Sequence, residues 1–280
     1  MQRCFGPVAW ARCRTAVAAT AAAKHSRGLA SSSVDHDEIN RFAETARAWW
    51  DPHGEYKVLH QLNPARLEFI VGAARANLAT ESRVGLAGLH VLDVGCGGGL
   101  LCEPLARLGC NVTGVDATER SIEVARLHAR EDPEVHDRVS YSHSTVEELL
   151  ASSGASFELV VASEVVEHVT DMTQFVHDCA SAVRPGGVLV MSTLNRTALS
   201  YGLGIVLAES VLGFAPPGTH TYEKFVTPDE LWGAMLEAGL HVDDTRGMVY
   251  NPLGQRWVLA DTTQMNYIVC AVKPPGESAS

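Results

Sequence analysis

The stretch Leu92-Asp93-Val94-Gly95-Cys96-Gly97-Gly98-Gly99 decides how the rest of this chain is read. A short apolar run, bounded by Gly88 and Gly95, passes directly into glycines and then into a helical pattern over 100–108. Glycines at such a junction let the backbone approach a ligand closely and leave amide donors free at a helix N-terminus. Asp116 ends the next apolar run, about twenty residues on, where an acid can accept two ribose hydroxyls. Outward from this point the pattern alternates. Strands are expected at 90–94, 111–115, 139–142, 159–163 and 188–193, with helices over 118–130, 146–151 and 172–183. Alternation of this kind implies a parallel sheet covered on both faces. Pro185-Gly186-Gly187 is a turn before the fifth strand. A helix over 228–238 and strands near 247–250 and 266–272 complete a sheet of seven. Upstream, Asp35 or Asp37 can cap a helix over 39–50. Asn63-Pro64 reads as a second helix start, running to about Leu78.

The spacing of the glycines separates two classes of nucleotide ligand. A dinucleotide fingerprint G-x-G-x-x-G begun at Gly95 or Gly97 needs Gly or Ala at position 100 or 102, which are Leu100 and Cys102. The pattern D-x-G-x-G-x-G is complete, with Asp93 at its head. It resembles the first motif of the class I methyltransferases, which use S-adenosylmethionine. The resemblance implies a Rossmann-like α/β fold with a seven-stranded, mostly parallel sheet, N-terminal helices and a cap insertion. The domain organisation expected is an N-terminal helical segment over 34–85 and a methyltransferase domain over 86–280, its cap at about 197–227. Many class I methyltransferases place an acid after the third strand for the adenine amino group. Here that run is His143-Ser144-Thr145-Val146, so no adenine acceptor is assigned.

Three further segments narrow the resemblance. Trp49-Trp50-Asp51-Pro52 with Leu62-Asn63-Pro64-Ala65-Arg66, then Ser163-Glu164-Val165-Val166-Glu167-His168-Val169, then Ser192-Thr193-Leu194-Asn195-Arg196 with Pro217-Gly218-Thr219-His220 and Lys224-Phe225, all resemble the ubiquinone-biosynthesis O-methyltransferases. The likeness runs from about residue 37 to 273. It implies methyl transfer from S-adenosylmethionine to catechol-type hydroxyls on polyprenylated benzoate and demethylubiquinol intermediates. It implies donor contacts at Arg66, Asp93, Gly95, Gly97, Asp116 and Ser163. A guanidinium at Arg66 can clamp the donor's carboxylate in two places; read alone, Arg66 is an exposed helix charge. Ser163 read alone is the N-cap of a helix beginning at Glu164. Another phenol as acceptor, or a non-catalytic scaffold that binds the donor, are the competing functions.

A catechol hydroxyl is mostly protonated at neutral pH, so a group must take or acidify its proton. Glu164, Glu167 and His168 stand at i, i+3 and i+4, one face of a helix. Two carboxylates and an imidazole suit Mg²⁺ less cleanly than three oxygens do. The resemblance nevertheless implies Mg²⁺ at Glu164, Glu167 and His168. His168 is the alternative general base, and Thr219, His220 and Lys224 are weaker candidates for substrate contact.

The 280 residues are 46% hydrophobic and 20% charged, a globular balance. The net charge of −11 is uneven, since residues 1–34 hold five Lys or Arg and no acid, leaving 17 bases against all 33 acids and a net −16. Such a body disfavours nucleic acid as a partner, whose affinity rests on neutralised phosphates. Residues 1–33, rich in Ala, Ser and Arg, have the composition of a mitochondrial or plastid transit peptide, and the resemblance implies the mitochondrial one. Beyond them lie five cysteines with no C-x-x-C pair, which indicates free buried thiols rather than disulfides or a zinc site. Residues 200–218 are rich in apolar side chains with a single acid, Glu209, and suit either an amphipathic lid at a membrane interface or a cap packed on the sheet. The family implies the matrix side of the inner mitochondrial membrane as the peripheral location, with the membrane's lipid and a multi-protein coenzyme Q synthesis complex as partners.

Overall fold

The computed structural model describes residues 49–54, 56–78, 85–197, 200 and 224–276. The expected presequence, most of the helix over 39–50 and most of the cap, including Thr219 and His220, lie outside the described residues.

The sheet has eight strands among the described residues: β1 (His90–Val94), β2 (Asn111–Asp116), β3 (Val139–His143), β4 (Phe157–Ser163), β5 (Val183–Leu194), β6 (His241–Asn251), β7 (Arg256–Ala260) and β8 (Asn266–Val272), in the order β3-β2-β1-β4-β5-β8-β6-β7. Strands β1 to β5 pair in parallel, and β8, β6 and β7 add antiparallel. Seven strands were expected. The eighth, β7, is a five-residue edge strand with no polar alternation to mark it in the sequence. The order reverses at β1, with β2 on one side and β4 on the other, and ligands of open α/β sheets bind in the crevice above such a point.

Helix α1 (Lys57–Leu78) lies across β5 to β8 on one face, beside α2 (Cys102–Arg107), α3 (Glu119–Ala129) and α4 (Pro133–His136). The other face carries α5 (Val146–Ser153), α6 (Met172–Ala182) and α7 (Pro228–Glu237). Helix α7 starts on a reciprocal cap, with Thr227 Oγ1 accepting from the Glu230 amide and Glu230 accepting from the Thr227 amide. Two apolar layers result. Leu105, Ile122 and Leu159 are fully buried in one, and Leu189, Met191 and Leu231 in the other. The described cysteines, Cys96, Cys102, Cys110, Cys179 and Cys270, are free and buried, as their spacing implied.

Two helix boundaries differ from expectation. Helix α1 begins at Lys57, so Asn63-Pro64 is inside it rather than at its start. The Asn63 amide is used elsewhere, with Nδ2 donating to the Leu100 carbonyl at 2.7 Å. This ties α1 to the end of the glycine loop, and the tertiary contact overrides the local helix-start signal. The helix expected over 100–108 is shortened to Cys102–Arg107, because Gly97 and Gly99 hold positive φ angles of 53° and 88° and the turn they form extends to Leu101.

Candidate active site

The glycine loop is held in shape by hydrogen bonds to the end of β2. The Gly95 and Cys96 amides both donate to the Val115 carbonyl, at 2.8 and 3.0 Å. Asp116, at the end of β2, accepts from the Gly97 amide at 2.9 Å and the Thr118 amide at 2.8 Å. Asp93, at the end of β1, is buried and accepts from Cys102 Sγ at 3.0 Å. Burial drives the Asp93 carboxyl up to about 7, opposed by the Cys102 hydrogen bond.

Arg66 projects from α1 into this end of the sheet. It is 4% exposed, so the reading as a solvated helix charge is wrong. Its Nη2 pairs with Glu164 Oε1 at 3.5 Å and its Nη1 donates to Asn63 Oδ1 at 3.4 Å. Burial draws the guanidinium pKa down, and the charges of Glu164, Glu167 and Asp93 oppose that. Nε has no hydrogen-bond partner among the described residues. A buried donor left over in this way is what a carboxylate-bearing ligand would satisfy.

After β4 the chain departs from the expected helix. Glu164 has a left-handed backbone, φ 56°, and the helical turn that follows is only a 3₁₀ segment, Val166–His168. Glu164, Glu167 and His168 therefore do not share the face of an α-helix. Ser163 is not an N-cap either. Its hydroxyl is 2.7 Å from that of Ser192 on β5, which in turn donates to Glu164 Oε1 at 2.7 Å. Glu167 is buried at 2% exposure, with Oε2 accepting from Thr193 Oγ1 at 2.8 Å and Oε1 without a hydrogen-bond partner. Its carboxyl is pushed up to about 7, first by burial and then by the Glu164 charge, against His168 and Thr193. A non-glycine residue in left-handed geometry is held there by its surroundings and costs of the order of 1 kcal/mol or more. Here the Glu164 amide donates to the Ser192 carbonyl at 2.9 Å, and the strained turn delivers its carboxylate to Arg66.

Among the described residues, no group of three His, Cys, Asp or Glu side chains forms a ready metal-binding cluster. Glu164, Glu167 and His168, expected to share a metal, do not converge into such a cluster.

Sequence reasoning used Trp49 and Trp50 as a family mark and as the end of the helix over 39–50, yet both lie in a turn that sits on the glycine loop. A Cβ at Gly97 would lie 2.5 Å from the Trp49 ring, and one at Gly98 2.6 Å from its Cβ and Cγ. Trp50 Nε1 donates to the Gly98 carbonyl at 2.8 Å, and its ring stacks on His128 at 3.5 Å. His128 Nδ1 is 2.7 Å from the fully buried Glu103. The glycines there make room for indole. The only local signal was the pairing of two tryptophans before a Pro.

Asp93 and Glu167 make stability pH-dependent. Their folded-state values near 7 lie above the ordinary 3.8 and 4.5, so the native protein holds these protons more tightly than the unfolded chain. Their contribution is full below about pH 4 and is lost as pH rises through 7. Urea titrations of the donor-free protein are expected to show stability falling by a few kcal/mol over that interval from these two sites. Asp93→Asn and Glu167→Gln should each flatten part of the slope. A wild-type slope preserved in both variants would place the titration elsewhere.

The residues matching a methyltransferase domain model are 92–191, from β1 into β5. A ubiquinone biosynthesis O-methyltransferase of Methylobacterium nodulans is 48% identical over 244 residues, 86% of this chain and 96% of that protein. The chain belongs to the ubiquinone biosynthesis O-methyltransferases. The mitochondrial enzyme of that name from Mus musculus is 42% identical over 260 residues, covering 89% of this chain and 69% of the mouse protein. In fold, the chain is similar to a magnesium protoporphyrin IX methyltransferase from Synechocystis, solved with bound S-adenosylhomocysteine, with a TM-score of 0.58 at 20% identity over 85% of this chain and all of that one. As a member of this family the protein is an S-adenosylmethionine-dependent O-methyltransferase of Rossmann-like fold. The reading as a non-catalytic scaffold falls away.

Proposed function

We propose that the enzyme methylates catechol-type hydroxyls on polyprenylated benzoate and demethylubiquinol intermediates. The observation that carries the reading is buried Arg66, with a spare donor at Nε, placed between the glycine loop and Glu164 in a chain nearly half identical to its curated relatives. Arg66 is assigned to the donor's carboxylate, Asp116 to its ribose, and Asp93, Gly95, Gly97 and Ser163 to the remaining donor contacts. The donor supplies an electrophilic methyl carbon on a sulfonium. The protein's share is to hold it in line with an incoming phenolate and to remove the hydroxyl proton.

Two groups are candidates for the proton. His168, at the end of the 3₁₀ turn, is the direct general base. Alternatively, Glu164, Glu167 and His168 hold Mg²⁺, which would position and acidify the hydroxyl. The buried, unbonded Oε1 of Glu167 fits a cation. An open arrangement suits Mg²⁺ in particular, since that ion keeps several waters and takes one or two carboxylates. The test is mass-spectrometric detection of labelled methyl on prenylated and prenyl-free catechols, after exhaustive chelation and with Mg²⁺, Mn²⁺ or Zn²⁺ returned. Chelation is expected to lower the rate at least tenfold (about 1.4 kcal/mol of barrier) and Mg²⁺ to restore it, with Glu164→Ala unresponsive. Undiminished activity without metal would assign the proton to His168 alone. No methylation of any catechol would refute the proposed acceptor.

The cellular setting proposed is the matrix face of the inner mitochondrial membrane, within a coenzyme Q synthesis complex. The acid-free residues 1–33 and the mitochondrial name of the mouse relative support it. Among the described residues no helix is long and apolar enough to cross a membrane. Peripheral attachment is therefore the form proposed.

A further inference from the structure

The turn that precedes α1 meets the glycine loop with two indoles, and its own hydrogen bonds fix them there. The His53 amide donates to Asp51 Oδ1 at 2.9 Å, and the Gly54 amide donates to the Asp51 carbonyl at 3.1 Å. His60 of α1 reaches back, its Nε2 donating to the Trp49 carbonyl at 2.7 Å. The Trp49 ring stacks on Tyr56, centroids 3.9 Å apart and planes within 12°.

The two indoles are used differently. Trp50 is fully engaged, its N–H on the Gly98 carbonyl and its ring parallel to His128 within 1°. Trp49 is not. Its ring lies along the loop, with Cη2 and Cζ2 only 2.5 and 2.7 Å from where a Cβ on Gly97 would stand. At its other end, Cγ and Cδ1 are 2.6 and 3.2 Å from where one on Gly98 would stand. Nε1 is bonded to Cδ1 and joined through Cε2 to Cζ2, so it lies between the two glycines. This N–H is buried and has no hydrogen-bond partner among the described residues. A buried indole N–H ordinarily has an acceptor.

A second donor is left over at the same loop. Arg66 Nε is also buried and unbonded, and Arg66 is tied to the loop through Asn63, which donates to the Leu100 carbonyl. Two spare N–H groups on segments anchored at residues 97–100 call for an acceptor-rich group on the ligand. The ribose is assigned to Asp116. What remains is the carboxylate, whose two oxygens can accept from both groups at once.

On the reading that Arg66 holds that carboxylate, we propose that Trp49 is a further donor-binding residue, its indole N–H sharing the S-adenosylmethionine carboxylate with Arg66 Nε. Trp50 is the positioning residue that holds the loop for it. Part of the donor site is then supplied by the turn before α1, outside the residues 92–191 that match the methyltransferase domain.

The test is calorimetric titration of the full chain with S-adenosylhomocysteine and with methylthioadenosine, which keeps the nucleoside and thioether but lacks the carboxylate. Trp49→Phe retains an aromatic ring without the N–H. It should weaken S-adenosylhomocysteine roughly tenfold or more and leave methylthioadenosine within about twofold. Retained methylthioadenosine binding also establishes that the variant is folded. Trp50→Phe should weaken both ligands alike, near fivefold, in protein that near-ultraviolet circular dichroism shows to be folded, because both ligands use the loop. Arg66→Lys should reproduce the split between ligands seen in Trp49→Phe. Equal loss of both ligands in Trp49→Phe overturns the proposal, as does loss of neither. Tighter binding overturns it too, and would make the indole a plug that the donor displaces. Unchanged binding in Trp50→Phe removes its positioning role. A split in Trp49→Phe without one in Arg66→Lys would keep the indole at the carboxylate and refute the assignment of Arg66.

Discussion

Replacing Arg66 with alanine is expected to abolish measurable binding of S-adenosylmethionine and to destabilise the protein by about 3–5 kcal/mol. Arg66 is almost wholly buried and faces three acids, Glu164, Glu167 and Asp93. Removing it leaves buried carboxylates uncompensated. They would respond by holding protons more tightly, so the loss should shrink as the pH is lowered from 8 toward 5. Arg66→Lys retains the charge but not the two-pronged donor, and should recover part of the stability while binding the donor poorly. Urea denaturation at two pH values and calorimetric titration with S-adenosylmethionine measure the two effects separately. Donor affinity in Arg66→Ala equal to wild type would remove Arg66 from the donor site and leave it a purely structural cation.

The second large effect is expected at Asp116. Its carboxylate already accepts from the Gly97 and Thr118 amides, and the donor's ribose is assigned to the same group. Hydrogen bonds to a charged partner contribute about 1.5–3 kcal/mol each. Loss of the carboxylate in Asp116→Ala should therefore weaken S-adenosylmethionine binding at least about a hundredfold. Asp116→Asn keeps one acceptor oxygen for the loop and should fall between the two, near tenfold weaker. The same titrations run with S-adenosylhomocysteine should give matching losses, since the two share the ribose. If Asp116→Asn binds both ligands as well as wild type does, the ribose is held elsewhere.

The parallel half of the sheet and the glycine loop were legible because their signals are local. β1 needs only an apolar run that ends in glycine, and Asp116 announces itself by closing the next run. What was hidden depends on contacts between distant segments. Arg66 looks like any helix arginine until Glu164, 98 residues later, is folded against it. The Asn63-Pro64 pair imitates a helix start because the partner of Asn63, the Leu100 carbonyl, is not visible from the local sequence. The i, i+3, i+4 spacing of Glu164, Glu167 and His168 suggested one helical face. Ser192 instead holds Glu164 in a left-handed turn by both its carbonyl and its hydroxyl. Edge strand β7 was missed because it is short and its pairing with β6 is set by the Asn251 turn rather than by alternation.

The position of β8 bears on how the chain is made. It is the last of the eight strands in sequence but sixth across the sheet, wedged between β5 and β6. While a ribosome is still translating the earlier segments, β5 has an open flank and β6 has nothing to pair with but β7. Both present unpaired strand edges, which invite pairing with other chains. A nascent chain can thus form the β1–β5 half early, whereas the antiparallel half must wait for residues 266–272. The interval is a window in which a chaperone has something specific to shield, the exposed flank of β5.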